Sequence, residues 1–343
     1  MTDAANRADG PTRLGSSGFA RWVVGVVLLA VALRAAYLFE IKDMGFWRVA
    51  LGDAAIYVHR ATGIASGDWA GPADFVHAPL YAYVMALPRM VGLTELVWVR
   101  VMQMAMSAAS LALLMVVTRR LFGSRAGVIA GVLYAVLPSA IYFDGLIEKS
   151  SLAVLLTMGV IACAINAQGE NVQGLNQKIR GGGAWDWARW LVAGALLGLL
   201  VLTRQNALAL LPLVIVGVAV SRSQTQRAQS TDQKGSAAMP RLLAVGAVLI
   251  GFALAVSPWV ARNKMVTDEF VLSTPNMGQN FWMGNDPRST GTYMSFQRGK
   301  VNPEHEQAEW VKEAEAATGH PMSAKEVSDW YFARGMKFVR EQP

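Results

Sequence analysis

Apolar residues along this chain gather into blocks of membrane-spanning length, separated by connectors that hold most of the charge. The blocks predict seven transmembrane helices, at about 22–39, 100–118, 126–143, 150–167, 189–203, 206–221 and 241–259. A perpendicular helix needs ~20 residues to cross the hydrocarbon, so the shorter blocks predict tilted or partly buried helices. The third block ends in Leu137-Pro138-Ser139 and the seventh in Ser257-Pro258-Trp259, while the turn Thr203-Arg204-Gln205-Asn206 joins the fifth to the sixth. The predicted fold class is an all-α polytopic membrane protein.

Lys and Arg orient such blocks, because cytoplasmic connectors collect them. Arg7, Arg13 and Arg21 precede the first block, and Arg119, Arg120 and Arg125 follow the second. Lys178, Arg180 and Arg189 follow the fourth, and Arg222, Arg227, Lys234 and Arg241 the sixth. With alternating crossings these fall on one side, read as the cytoplasm. Residues 1–21 are then a cytoplasmic tail, 22–259 a transmembrane domain with an outer loop at 40–99, and 260–343 an extracytoplasmic segment. No small-residue cleavage site follows the first block, so it reads as a retained anchor. The expected topology is multi-pass, with the N-terminus cytoplasmic and the residues after 259 extracytoplasmic.

The outer loop carries two amphipathic pieces. Asp53 to Ile64 reads as a short helix broken by Gly67-Asp68-Trp69 and Gly71-Pro72, and a second runs from His77-Ala78-Pro79-Leu80-Tyr81 to about Val91. Stretches 168–184 and 222–240, rich in Gln, Ser, Gly and Asn, read as linkers. In the last segment Pro303 and Glu304 open a helix that Thr318-Gly319 stops. Ser323-Ala324-Lys325-Glu326 then has the capping-box pattern, with Val327, Trp330, Tyr331 and Phe338 at helix-face spacing. An amphipathic helix left outside after seven crossings predicts an incomplete chain whose continuation returns to the membrane.

Composition agrees with the pattern. The 343 residues are 53% hydrophobic and 16% charged, with a mean hydropathy of +0.32, too apolar for an ordinary soluble domain. The formal charge of +7 sits in connectors, so it does not indicate a nucleic-acid partner. Cys163, the single cysteine, lies inside an apolar block and excludes a disulfide framework or a cysteine-rich metal site. There is no Walker loop and no dinucleotide fingerprint.

Candidate chemistry lies on the predicted outer face. Acids at one face of a many-spanning chain are expensive and mark where polar chemistry meets lipid. Asp53, in Gly52-Asp53-Ala54-Ala55-Ile56-Tyr57, has the position of a general base for an acceptor hydroxyl, or simply of a helix N-cap. Glu148 can bind a divalent cation, orient an acceptor or pair with Lys149, and Asp144 competes for the same role. Arg204, beside Asn206, can grip a lipid phosphate or snorkel to the interface. Arg34 lies inside the first block and needs a partner or a path outward, since mid-membrane charge costs ~2.5–3.5 kcal/mol. His77 can bind a sugar or a metal, or rest at the interface. Gly278 to Asn285, with Asn280 and Asn285, reads as a sugar-facing loop or a plain Gly/Asn turn.

Taken together these residues resemble the GT-C superfamily of integral-membrane glycosyltransferases, in particular bacterial relatives of protein O-mannosyltransferases and aminoarabinose transferases. The motifs are Arg34-Ala35-Ala36-Tyr37-Leu38, Gly52 to Tyr57, His77-Ala78-Pro79-Leu80-Tyr81, Arg119-Arg120-Leu121-Phe122-Gly123, Leu202-Thr203-Arg204, Ser257-Pro258-Trp259 to Asn263, and Asn280-Phe281 to Asn285. The resemblance implies an inverting transfer from a polyprenyl-phosphate sugar to an outer glycan, lipid or protein acceptor. Asp53 would be the base, Glu148 a second acid and Arg204 a phosphate contact. Ala78 replaces the first proline of the family's Pro-Pro-Leu turn, and Glu148 stands where many relatives have Asp. Two other classes compete: a transporter or lipid flippase using the outer acids as ion or proton sites, and a non-catalytic scaffold.

Overall fold

The computed structural model describes residues 16–72, 77–168, 186–220, 238–289 and 303–342. The expected linkers at 168–184 and 222–240, and the basic residues 7, 13, 178, 180, 222, 227 and 234, fall almost wholly outside these ranges. All regular structure among the described residues is helical. In chain order the helices are α1 (Ser16–Ile41), α2 (Asp53–Ala65), α3 (Leu80–Met90), α4 (Leu96–Phe122), α5 (Ser124–Val136), α6 (Pro138–Gly145) and α7 (Ser150–Gln168). They continue with α8 (Asp186–Val201), α9 (Leu210–Val220), α10 (Ala238–Thr267), α11 (Met277–Asn285), α12 (Pro303–Thr318) and α13 (Ala324–Glu341).

Three of these, α1, α4 and α10, are long and apolar enough to cross a membrane. The pair α5 and α6 makes a fourth if its two pieces form one span. The apolar parts of α7, α8 and α9 run only 10–17 residues each, so seven full crossings are not supported by helix length. Membrane association through several apolar helices stands; the alternation of sides remains an inference from charge. The α5–α6 break has a local cause. Pro138 has no N–H and disfavours helical geometry at Leu137, which is extended, and the axis bends by 52°.

The chain divides into two compact units. One comprises residues 1–44, 100–193 and 213–248, the other 45–99, 194–212 and 249–343. In the first, α1 lies against α5 and α6, with Phe19, Val26, Ala30, Leu111, Met115 and Ala135 forming its core. Val24 and Leu28 of α1 stay exposed, as expected of a lipid-facing side.

In the second unit, α2 packs on α3 through Tyr57, Ala61, Tyr81 and Met85. The helix α10 does not end at Ser257-Pro258-Trp259; it runs on through Pro258 to Thr267. Its C-terminal part straps the following segment, with Trp259 Nε1 donating to the Ser273 carbonyl at 2.7 Å and Asn263 Nδ2 to that of Val271 at 2.8 Å. The region read as a Gly/Asn loop is a helix, α11, because Trp282 finds a core with Trp310, Ala314, Val327 and Tyr331 of α12 and α13. Arg334 lies 4.4 Å over the Trp282 ring and pairs with Glu313 at 2.8 Å. The capping box at Ser323 and Glu326 is formed.

Candidate functional site

Gly52 sets the start of α2. Its φ of +58° is open to glycine, and it is the residue that precedes the helix. The amides of Ala54 and Ala55 bond to the carbonyls of Leu51 and Gly52. Asp53 is therefore the first helical residue, and Gly52 holds the cap position that the sequence offered to Asp53. Its carboxylate lies in the first turn, where the helix dipole favours negative charge.

Asp53 meets His77. The Oδ1 and Nε2 atoms are 3.2 Å apart, with the aspartate side chain 44% exposed and the histidine 16%. Tyr57, one turn along α2, packs edge-on against the imidazole at 5.6 Å, and Tyr81 backs Tyr57 at 5.0 Å. Among the described residues Nδ1 of His77 has no hydrogen-bond partner.

The Arg204 turn belongs to the same unit. Leu80 N, at the head of α3, donates to the Leu202 carbonyl at 3.0 Å, joining the His77 bend to that turn. Gln205 exchanges bonds with Thr274: Nε2 donates to the Thr274 carbonyl at 3.2 Å and Oε1 accepts from the hydroxyl at 2.8 Å. Arg204 is half-buried and Asn206 exposed. On α11, Asn280 is exposed, whereas Asn285 turns back to donate to the Phe281 carbonyl at 2.8 Å.

This unit also holds an apolar groove of about 520 Å³, lined by Trp69, Tyr83, Leu199, Trp259, Met265 and Val266 among others. Trp69 stacks on Tyr83, and Tyr83 meets Trp259 edge-on. Arg262 borders the groove with its guanidinium 4.8 Å over Trp259, donating to the Ala70 carbonyl at 2.7 Å and to that of Pro72. Burial pushes the Tyr83 phenol up; Arg262 offsets part of that and Asp68 adds to it. Sequence reasoning passed over Trp69, Tyr83 and Arg262. The available signal was Trp259 and Arg262 at a spacing of three, which places both on one helix face.

Arg34, Asp144 and Glu148 belong to the other unit. Arg34 finds the partner it needs: Nε lies 2.6 Å from Asp144 Oδ2, and Nη1 donates to the carbonyls of Ala30 and Ala135. The other carboxylate oxygen of Asp144 accepts from Ser151 at 2.6 Å. With both oxygens engaged and the side chain 7% exposed, Asp144 has no face for a ligand. Glu148 is half-buried, and its Oε2 lies 3.4 Å from the Ser150 hydroxyl. Among the described residues no three His, Cys, Asp or Glu side chains gather as a metal ion would require. Compared with protein-family models, with curated proteins and with solved structures, the chain finds no match.

Proposed function

We propose that this protein is a glycosyltransferase of the bacterial cytoplasmic membrane, using a polyprenyl-phosphate sugar and an acceptor on the outer side. The observation that carries the reading is the half-exposed Asp53 carboxylate, held against His77 at the head of α2. It shares its unit with an apolar groove of a size suited to a ligand's hydrocarbon. The acceptor hydroxyl oxygen attacks the anomeric carbon from the face opposite the phosphate. Its proton passes to Asp53, and the carbon–oxygen bond to phosphate breaks with the electron pair leaving on the phosphate. Phosphate is a good leaving group, so no separate acid is needed. Arg204 would meet that phosphate through paired donors. Asn206, Asn280 and the groove, which share the unit of Asp53, would complete the contacts to sugar and lipid.

The test is transfer of label from polyprenyl-phosphate [³H]mannose or [³H]glucose in proteoliposomes supplied with bacterial membrane acceptors. Transfer by the wild type and its loss in Asp53→Asn is the expected result. Equal transfer by both proteins removes the base assignment.

A specific observation favours a transporter as the second reading. The bent α5–α6 pair has the form of the broken helices that line solute paths in transporters. Proton or solute uptake by the proteoliposomes, without sugar transfer, would favour it.

A further inference from the structure

One wall of the apolar groove is a strap of chain between α2 and α3. Trp69 and Ala70 of this strap line the groove, together with Tyr83 from α3 and Trp259, Arg262 and Met265 from α10. Gly67 and Gly71, both at positive φ, turn the chain on either side of Trp69. Trp69 is 58% exposed, so burial does little to fix the strap. Polar bonds from the two helices fix it instead. From α3, the Tyr83 hydroxyl donates to the Trp69 carbonyl at 2.5 Å, and the two rings stack. From α10, Arg262 donates Nε to the Ala70 carbonyl at 2.7 Å and Nη2 to that of Pro72. Its remaining nitrogen, Nη1, donates to Asn263 Oδ1 at 3.0 Å.

We propose that Arg262 is a positioning residue for lipid binding: its fork fixes the strap as the wall against which the hydrocarbon chain of a membrane lipid lies. The assignment rests on the reading of the groove as a hydrocarbon site given above, and it does not require sugar transfer. The occupant follows from the surroundings. The α10 residues of the groove belong to a stretch of 27 residues, Arg241–Thr267, that is long and apolar enough to cross a membrane, where lipid chains are the solvent. The volume of about 520 Å³ lies in the ordinary range of small-molecule sites, ~300–1,000 Å³. Each nitrogen of Arg262 donates to an oxygen of this chain, and the guanidinium lies over the Trp259 ring. The side chain is therefore spent on the wall and not on a lipid headgroup. That use needs a guanidinium: a lysine keeps the charge without the planar fork that meets two carbonyls while covering an indole.

The experiment photolabels the full chain in phosphatidylcholine nanodiscs with two diazirine-bearing probes, uncharged farnesol and farnesyl monophosphate. Label in residues 69–83 and 255–266 is quantified by peptide mass spectrometry as probe concentration rises. Wild type is compared with Arg262→Lys, Arg262→Met and Tyr83→Phe. Amide hydrogen exchange is followed at 68–71, where three amides are bonded to Gly63, Gly67 and Asp68, with α11 to α13 as the control. The expected result is saturable labelling in wild type, with half-saturation raised about tenfold for both probes in both Arg262 variants. Tyr83→Phe, which removes one bond, should raise it by a smaller factor. Exchange at 68–71 should quicken in step while α11 to α13 stay unchanged. Unchanged exchange in the Arg262 variants overturns the hold on the strap. Faster exchange with unaltered half-saturation overturns the wall. Weakening confined to the phosphate probe, or full rescue by lysine, makes Arg262 a headgroup contact and overturns its positioning role. Should the Arg262 variants fail to fold, an unaltered half-saturation in Tyr83→Phe overturns the wall. A wild type that transfers sugar yet shows no saturable label in the groove overturns the present proposal alone. Saturable label in a wild type that transfers no sugar overturns the glycosyl-transfer reading alone.

Discussion

Asp53 and Asp144 each lie close to an apolar block, yet their surroundings differ in kind. Asp144 has both oxygens committed, one to Arg34 and one to Ser151, and is almost sealed. Asp53 has one oxygen near His77 and nearly half of its side chain open. A buried ion pair of the first sort sustains itself only while both charges remain, because either one alone would be left unsolvated. A carboxylate of the second sort can take up a proton or meet a ligand at little cost to the fold. One aspartate therefore belongs to the architecture of its unit, and the other presents a half-exposed carboxylate beside a histidine.

The largest expected effect breaks the contrast from the Asp53 side. Asp53→Asn should slow transfer by ~10²–10⁴-fold, the usual worth of a general base, while unfolding shifts by no more than about 0.5 kcal/mol. The two are read from label transfer and from denaturant unfolding in detergent. If the variant loses activity by unfolding, Asp53 belongs with Asp144 and the distinction collapses.

The next effect comes from the Asp144 side. Arg34→Met should destabilise the protein by ~3–5 kcal/mol, because it strands the buried carboxylate. The double variant Arg34→Met/Asp144→Leu should recover most of that loss, since replacing both partners removes the stranded charge. Recovery absent from the double variant would mean that Arg34 acts through packing and not through its charge.

A smaller effect sharpens the geometry of the bend beside Asp144. A Cβ on Gly145 would stand 2.6 Å from Tyr37 Cε1 and 3.2 Å from Ile41 Cδ1, so Gly145→Ala should cost ~1–3 kcal/mol through overpacking. Gly217→Ala, where a Cβ meets nothing within 4 Å, is the control. It should be neutral or stabilising by ~0.4–1 kcal/mol, as helix formation favours alanine. Equal losses at both positions would show that close approach to α1 is not what Gly145 supplies.

The smallest effect lies in the C-terminal helices, far in sequence from both aspartates. Ser323→Ala should cost ~1 kcal/mol through loss of the α13 cap. The capping box has a pH signature. The Ser323 amide bonded to Glu326 lowers that glutamate below its ordinary value, with the Ser323 hydroxyl contact adding to it. A carboxyl lowered in the folded state stabilises above its unfolded pKa of ~4.3, and that stability is lost as pH falls through the folded value. Glu326→Gln should remove this acid-side dependence in thermal unfolding, and Ser323→Ala, which keeps the backbone amide, only the hydroxyl's smaller share; an unchanged profile in Glu326→Gln would remove the capping box from the account.

Local chemistry made several elements readable before any packing was known. Asp53 to Ile64, the helix after His77-Ala78-Pro79, the helix opening at Pro303 and the capped helix at Ser323 all lie where spacing and stop signals put them. Elsewhere packing overrode local preference. Gly278 to Asn285 has the composition of a turn, and becomes α11 because Trp282 enters a core with α12 and α13. Apolar blocks gave seven spans because composition counts residues and not continuous helix. Proline at 138 bends one block, and the apolar stretches of three others are short.

By itself the sequence determined that this chain is helical, membrane-associated and marked by an acid after Gly52, since burial of apolar runs and the glycine turn are local matters. Which acid is sealed and which is open was decided only by tertiary structure. Arg34 and Asp144 lie 110 positions apart along the chain. The solvation of a carboxylate depends on such distant neighbours, which no local pattern records.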